Sequence, residues 1–252
     1  LEEFPLLAVE PESHRLIEQG PAYRRRFLDW GVFHVEHQFF PAWQRYRRAW
    51  QQRNAVLKGT AEETMLEPWE REMEEAATEL DRQRNAYLVL LAPKVELLGK
   101  ALLGNDELTL RYHRGWPSDE SLGTVLQKAR NADRGLGYTR QGPHRADIVL
   151  YFGDHRAASR VSRGQQKLLV FCLALAQAKL LEEHQSTKRP VLLVDDLAAE
   201  LDLERIERLV SYLEQMNIQA FVTGTDAQRF PLSSLPAYTM FHVEHGQVAS
   251  VE

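Results

Sequence analysis

The clearest periodicity in the chain begins at Leu168: Leu168, Leu169, Cys172, Leu173, Ala176 and Leu180 recur at the three- and four-residue spacing of a helix. Ser162 and Gln165 stand just ahead at capping-box spacing and predict the helix start. Pro190 then precedes four consecutive apolar residues, Val191, Leu192, Leu193 and Val194, the pattern of a strand buried on both faces. Asp195 and Asp196 follow at once. A second stripe, Ile206, Leu209, Val210, Leu213 and Met216, lies behind Asp202, whose side chain suits an N-cap. Another apolar strand, Ala220-Phe221-Val222-Thr223, comes next. Strand, helix, strand predicts a right-handed crossover and a parallel sheet, hence an α/β fold.

The rest of the chain reads differently. A short strand is predicted near residues 5–9, then a mainly helical region over about 11–104, with breaks near Pro41 and Gly59. The acid-rich stretch 67–79 reads as a solvated helix face, and Pro93 should kink or end the following helix. Residues 107–112 alternate as a strand and 121–134 read as a helix. A strand over 147–152 can turn back at Gly153-Asp154. Residues 238–243 and 247–251 form a hairpin around His245-Gly246. The division this suggests is an edge segment at 1–12, a helical lobe at 13–134, and a second α/β portion at 135–252.

Composition narrows the class. The 252 residues carry one cysteine, Cys172, so an internal disulfide is excluded and a reducing cytoplasm fits. There is no apolar run of membrane length, and Arg24, Arg25 and Arg26 interrupt any such run near the start. The net charge of −5 argues against a generally basic DNA-coating protein, so any DNA contact must be local. Arg24, Arg25, Arg26, Arg45, Arg47, Arg48, Arg53 and Lys58 crowd one helical region, with Tyr23, Trp30, Trp43, Tyr46 and Trp50 among them. They are candidates for phosphate contacts. A solvated arginine face over a core of aromatics accounts for them equally well, and residues 23–26 could instead hold the lobe to the rest. Phe-His-Val-Glu-His occurs at 33–37 and again at 241–245. Its spacing is not that of a metalloprotease helix, and chance recurrence explains it better than zinc.

The candidate chemistry lies in the second half. A helix starting at Ser162-Arg163-Gly164-Gln165 offers backbone N–H groups and a positive dipole end to an anion, and Gly164 permits close approach. An ordinary capped core helix is the plain alternative. Two carboxylates at the carboxyl end of a parallel strand lie where ligands bind in open sheets. Asp195 would hold Mg²⁺, which prefers oxygen ligands, and Asp196 would orient a water. A solvated loop after a strand is the plain alternative for the pair.

Taken in order, Ser162-Arg163-Gly164-Gln165-Gln166-Lys167, Val191 to Asp196, and Leu197-Ala198-Ala199-Glu200-Leu201-Asp202 resemble the second half of an ATP-binding cassette. Residues 20–31, 51–55 and 142–147 add a resemblance to the RecF family of bacterial replication and repair proteins, relatives of the SMC and Rad50 ATPases. The likeness runs from Phe4 to Val248. It implies an ATPase head with an inserted helical lobe, and two subunits meeting around ATP. Ser162, Arg163, Gly164 and Gln165 would then act on a partner's ATP, Asp195 on Mg²⁺ and Asp196 on the hydrolytic water, while Asp202 would reach across the dimer. It further implies a slow ATPase that binds gapped or single-stranded DNA, helps load recombinase with RecO-like and RecR-like partners, and serves the SOS response.

The chain departs from that pattern. No Gly-x-x-x-x-Gly-Lys-Ser/Thr phosphate loop occurs, and the sequence starts at Leu1 without Met, so a fragment lacking roughly the first third and inactive alone is expected. No glutamine occurs before Gln19 where the family often has a sensor, and Thr223-Gly224-Thr225 stands where many cassettes carry a histidine. The competing expectation is a non-catalytic module that docks on a mediator or on DNA.

Overall fold

In the computed structural model residues 5–60, 62–104, 107–184, 189–197, 201–216, 218–230 and 237–251 are described. β1 (Leu6–Val9) leads through short helical turns into α1 (Arg15–Glu18). The helices α2 (Pro21–Val35), α3 (Phe39–Lys58) and α4 (Glu67–Leu103) follow. β2 (Leu108–His113), α5 (Leu122–Leu136), β3 (Asp147–Phe152) and β4 (His155–Arg156) lead to α6 (Arg163–His184). β5 (Val191–Val194), α7 (Leu203–Glu214) and β6 (Gln219–Val222) complete the crossover, and β7 (Met240–Glu244) and β8 (Gln247–Val251) form the hairpin.

The predicted parallel sheet is present, with strand order β1-β5-β6. β5 departs from expectation. Leu193 is 36% exposed, and Leu6 and Phe221 on the same side of the sheet are exposed too, while Val191 on that side is buried, so the face is covered only in part. The other side, with Leu7, Leu192, Val9 and Val194, packs into the core. α6 is apolar nearly all round rather than along one stripe, and it runs through the centre of that core. Burial pushes the Cys172 thiol on this helix up to about 12, so the lone cysteine is an inert core residue.

α4 differs from its sequence expectation in two ways. It runs unbroken past Pro93 to Gly104, whose φ of 66° closes it with an N–H bond to Lys100 O. Proline leaves the carbonyl four residues back without a donor, but that residue, Val89, is 72% exposed and open to water. Leu91 and Val95 on the opposite side are fully buried and hold the axis. The acid-rich first half is not wholly solvated either, since Glu70 is 3% exposed and paired with arginines. The break expected at Pro41 falls at residues 36–38. Pro41 sits in the first turn of α3, where a missing N–H costs nothing.

One apolar core links the helices to the parallel sheet. α4 packs against α3, α5 and β2 and also against α6, and α2 reaches both β3 and α6. A second sheet, antiparallel in the order β2-β3-β4, lays Leu108, Leu110, Ile148 and Leu150 toward that core.

Candidate functional site

The two carboxylates stand where the strand pattern puts them, at the carboxyl end of β5. Thr223, the residue after β6, binds both. Its hydroxyl donates to Asp195 Oδ1 at 2.6 Å and accepts from Asp196 N at 2.9 Å. Asp196 has a φ of 49°, unusual for a residue with a side chain. That backbone is held from both ends: Thr223 takes its N–H, and Lys167 Nζ donates to its carbonyl at 2.6 Å. Neighbouring backbone bonds, Thr223 N to Val194 O and Leu197 N to Thr223 O, lock the two strand ends together. Asp195 is exposed and Asp196 half-buried, so both carboxylates can meet a ligand.

Lys167 comes from the first turns of α6, which makes it the link between that helix and the acids. The capping box forms as its spacing predicts. Gln165 Oε1 accepts Ser162 N at 2.9 Å, and Gln165 N reaches Ser162 Oγ at 3.4 Å. Ser162 and Arg163 remain exposed and Gly164 half-buried. Gln166 turns inward instead, donating to Glu18 of α1 at 2.8 Å. Asp202 caps α7, with Oδ1 accepting Arg205 N at 2.9 Å. Residues 198–200, including Glu200, lie outside the described residues.

The arginine-rich region is divided by its contacts. Arg24 makes two hydrogen bonds to Asp147 at the start of β3, 2.7 and 2.9 Å, and Arg25 donates to Ala146 O at 2.9 Å. Both therefore tie α2 to β3. Burial lowers the Arg25 guanidinium below its ordinary value. Arg45 is paired with Glu72 and Glu75 of α4. Arg26, Arg47 and Arg48 are exposed, and Arg47 lies over the Trp43 ring at 5.1 Å. Arg53 is not part of any solvated face. It is fully buried and holds Glu70 and Asp133.

The three separate stretches 20–31, 51–55 and 142–147 meet in one junction. Arg84 of α4 grips Asp29 with two bonds of 2.8 and 3.0 Å and donates to Pro143 O at 3.1 Å. Asn54 accepts both the N–H and the hydroxyl of Thr139. His144 bonds the Tyr46 hydroxyl at 2.6 Å and Thr139 O at 3.0 Å, and stacks on Trp50. Gly142 has φ 134°, and a side chain there would strike the Tyr46 hydroxyl. Sequence spacing missed Arg84, Gln177 and Lys167 as connectors. Gln177 was legible as a lone polar residue in an apolar helix; it donates to Phe27 O of α2 at 2.9 Å.

The Phe-His-Val-Glu-His copies lie in unlike settings. His34 is buried against Trp30, whereas His242 and His245 sit on the exposed hairpin. Among the described residues no group of three or more His, Cys, Asp or Glu could hold a metal ion, and no helix is long and apolar enough to cross a membrane.

No family model matches the chain. Individual proteins do. A "DNA replication and repair protein RecF" from Stutzerimonas stutzeri is 45% identical over 98% of this chain and 68% of its own length. A protein of the same name from Chromohalobacter salexigens is 42% identical over 98% of this chain and 69% of its own. Among solved structures, that of the recombination mediator protein RecF with ATP in the RecFOR pathway superposes with a TM-score of 0.83 at 25% identity, over 99% of this chain and 68% of that one. An SMC head domain from Pyrococcus furiosus, bound to the C-terminal domain of ScpA, has a TM-score of 0.53 at 14% identity, over 98% of this chain and 61% of that one; at that identity the likeness concerns the fold alone. The fold is that of an ATPase head, and identity above 40% over 98% of the chain gives that fold its lineage: this chain belongs to the RecF family of DNA replication and repair proteins.

Proposed function

We propose that this chain is the signature-bearing part of an ATP-dependent DNA-binding protein that acts in recombinational repair at replication gaps. The observation that carries the reading is the continuous bond path from the start of α6 through Lys167 to Asp196, and on through Thr223 to Asp195. A helix that senses a phosphate at Ser162 and Gly164 is thereby coupled to the two acids. Ser162, Arg163, Gly164 and Gln165 would face an ATP held by a partner subunit, and Asp202 would touch that subunit. Asp195 suits Mg²⁺, being an exposed oxygen donor with a hydroxyl neighbour. The ion, when bound, supplies positive charge to the phosphate oxygens. Asp196 accepts a proton from, or orients, the attacking water. Residues 13–134 form the helical lobe on this reading and 135–252 the carboxyl half of the head. DNA and RecO-like and RecR-like mediators are the partners, with Arg26, Arg47 and Arg48 the helical arginines left for phosphate contact.

The test is ATP-dependent dimerisation of the full-length gene product, measured by light scattering. Wild type should dimerise with ATP and hydrolyse it slowly. Ser162→Arg should abolish dimerisation, and Asp196→Asn should dimerise without hydrolysis. Lack of any ATP response in wild type refutes the reading. Mediator binding that ignores both ATP and Asp195→Ala would favour a non-catalytic docking module.

A further inference from the structure

A row of rings and guanidiniums crosses the turn between α2 and α3. On α2, Arg26 and Phe33 stand seven residues apart on one face, about 10 Å along the axis. On α3, Phe40, Trp43 and Arg47 follow at i, i+3 and i+7. Phe33 meets Phe40 edge-on, with ring centroids 5.8 Å apart. The Phe40 and Trp43 rings are within 11° of parallel with centroids 6.2 Å apart, and the Arg47 guanidinium lies 5.1 Å from the Trp43 centroid. Phe40 is not needed to fill the core. Phe39 is 3% exposed and does that, whereas Phe40 keeps 43% of its surface open and forgoes part of the free energy that burial would supply. The surrounding charge is positive. α3 has no acidic residue among its 20. On α2 the acid is Asp29, which is bound to Arg84. Glu36, in the turn, is half-buried and acts on Arg82 of α4. Arg26, Arg47 and Arg48 are exposed and form no hydrogen bond or ion pair among the described residues. Arg48 feels Glu72, but Arg45 holds that carboxylate.

We propose that Phe40 and Trp43, flanked by Phe33, are a stacking platform for the unpaired bases of single-stranded nucleic acid, with Arg26, Arg47 and Arg48 on its phosphates. The inference rests on the DNA-repair reading above and adds the state of the strand that is recognised. Bases inside a duplex have both faces covered by their neighbours, so an exposed ring selects bases that are free of the stack. Every base has a flat face, so such a platform tolerates any sequence. A base lying on the Phe40 ring is also close to parallel with Trp43. Arg47 is already held over Trp43 and loses less freedom when it meets a phosphate. An acidic protein segment would satisfy the arginines but brings no row of flat faces to the rings. Single-stranded nucleic acid supplies a charge and a flat face with every nucleotide.

The experiment uses the full-length gene product with ATP. Fluorescence anisotropy reads its binding, at one fixed salt concentration, to a fluorescein-labelled duplex with a single-stranded gap and to the same duplex fully paired. Phe40→Leu keeps an apolar contact with Phe33 but has no flat ring. It should weaken binding to the gapped duplex about tenfold and leave the paired duplex unchanged, whereas Phe40→Tyr should bind as wild type does. Unlabelled oligo(dT) should quench tryptophan fluorescence, and Trp43→Phe should lose most of that quenching while it keeps binding. Equal weakening of both duplexes by Phe40→Leu would overturn the platform, because a phosphate contact or a disturbed fold does not tell them apart. Quenching that persists in Trp43→Phe would overturn it too, as would loss of mediator binding in Phe40→Leu with gapped-duplex affinity intact. If wild type binds neither duplex, the repair reading falls and takes the platform with it. If wild type binds DNA and Phe40→Leu changes nothing, only the platform falls.

Discussion

Replacing Arg53 by methionine should be among the most destabilising single changes in the helical lobe. Arg53 is 0% exposed. Its guanidinium donates to Glu70 at 3.1 Å, Asp133 at 2.9 Å, Thr139 at 2.8 Å and Leu126 O at 3.2 Å. It thereby joins α3, α4, α5 and the loop that leads to β3. Methionine keeps much of the aliphatic stem but strands two buried carboxylates. Breaking a buried pair costs about 3–5 kcal/mol. The lower end applies here, because Glu70 keeps Arg130 at 2.6 Å and Asp133 keeps Arg140 at 3.0 Å. Urea unfolding followed by tryptophan fluorescence and circular dichroism measures it, provided that the two probes coincide. Adding Asp133→Asn removes the stranded charge, so the double variant should be less destabilised than the sum of the singles by about 1–3 kcal/mol. A loss below about 1 kcal/mol for Arg53→Met, or strict additivity, would refute the claim that these charges hold the lobe as one network.

Three further outcomes follow from other contacts. In Gly31→Ala the new methyl would overlap the Tyr87 hydroxyl and lie 2.5 Å from Gln177 Nε2, where α2, α4 and α6 meet, and thermal unfolding should show a loss of about 1–3 kcal/mol. Burial lowers His144 to about 4, below its unfolded value of about 6.5, so the unfolded chain takes up a proton first as pH falls. Stability on the order of 3 kcal/mol, present above pH 6.5, is therefore lost as pH drops toward 4, and His144→Gln should flatten that part of the urea-midpoint profile. Lys167→Met removes a charged donor from the Asp196 carbonyl, so in the full-length gene product hydrolysis should fall about tenfold or more while ATP-dependent dimerisation persists; unchanged hydrolysis would show that Lys167 does not position Asp196.

Much of the cassette half was legible because its signals are local. The Ser162–Gln165 box, the Asp202 cap and the Gly153-Asp154 turn each depend on neighbours within a few residues and form as expected, and the apolar run before Asp195 is a strand, though not buried on both faces. The helical region was less legible because charge there does not report exposure. Glu70 and Arg53 read as solvated and are buried, since each supplies what the other needs. Pro93 read as a break, yet the packing of its neighbours outweighs one missing hydrogen bond.

Element order, the parallel crossover and the position of both carboxylates at a strand end could be read from the chain because periodicity, caps and turns are short-range properties, and the family resemblance could be read from its motifs. Tertiary structure alone decided which of the many arginines hold the fold together and which remain free. Arg24, Arg25, Arg53 and Arg84 are bound to acids or carbonyls up to 123 residues away, whereas Arg156 and Arg160 face solvent. It also joined Lys167 to Asp196 and Thr223 to both acids, across 29 and up to 28 residues. A charged side chain's role is set by the partner that desolvates it, and in this chain those partners come from distant elements.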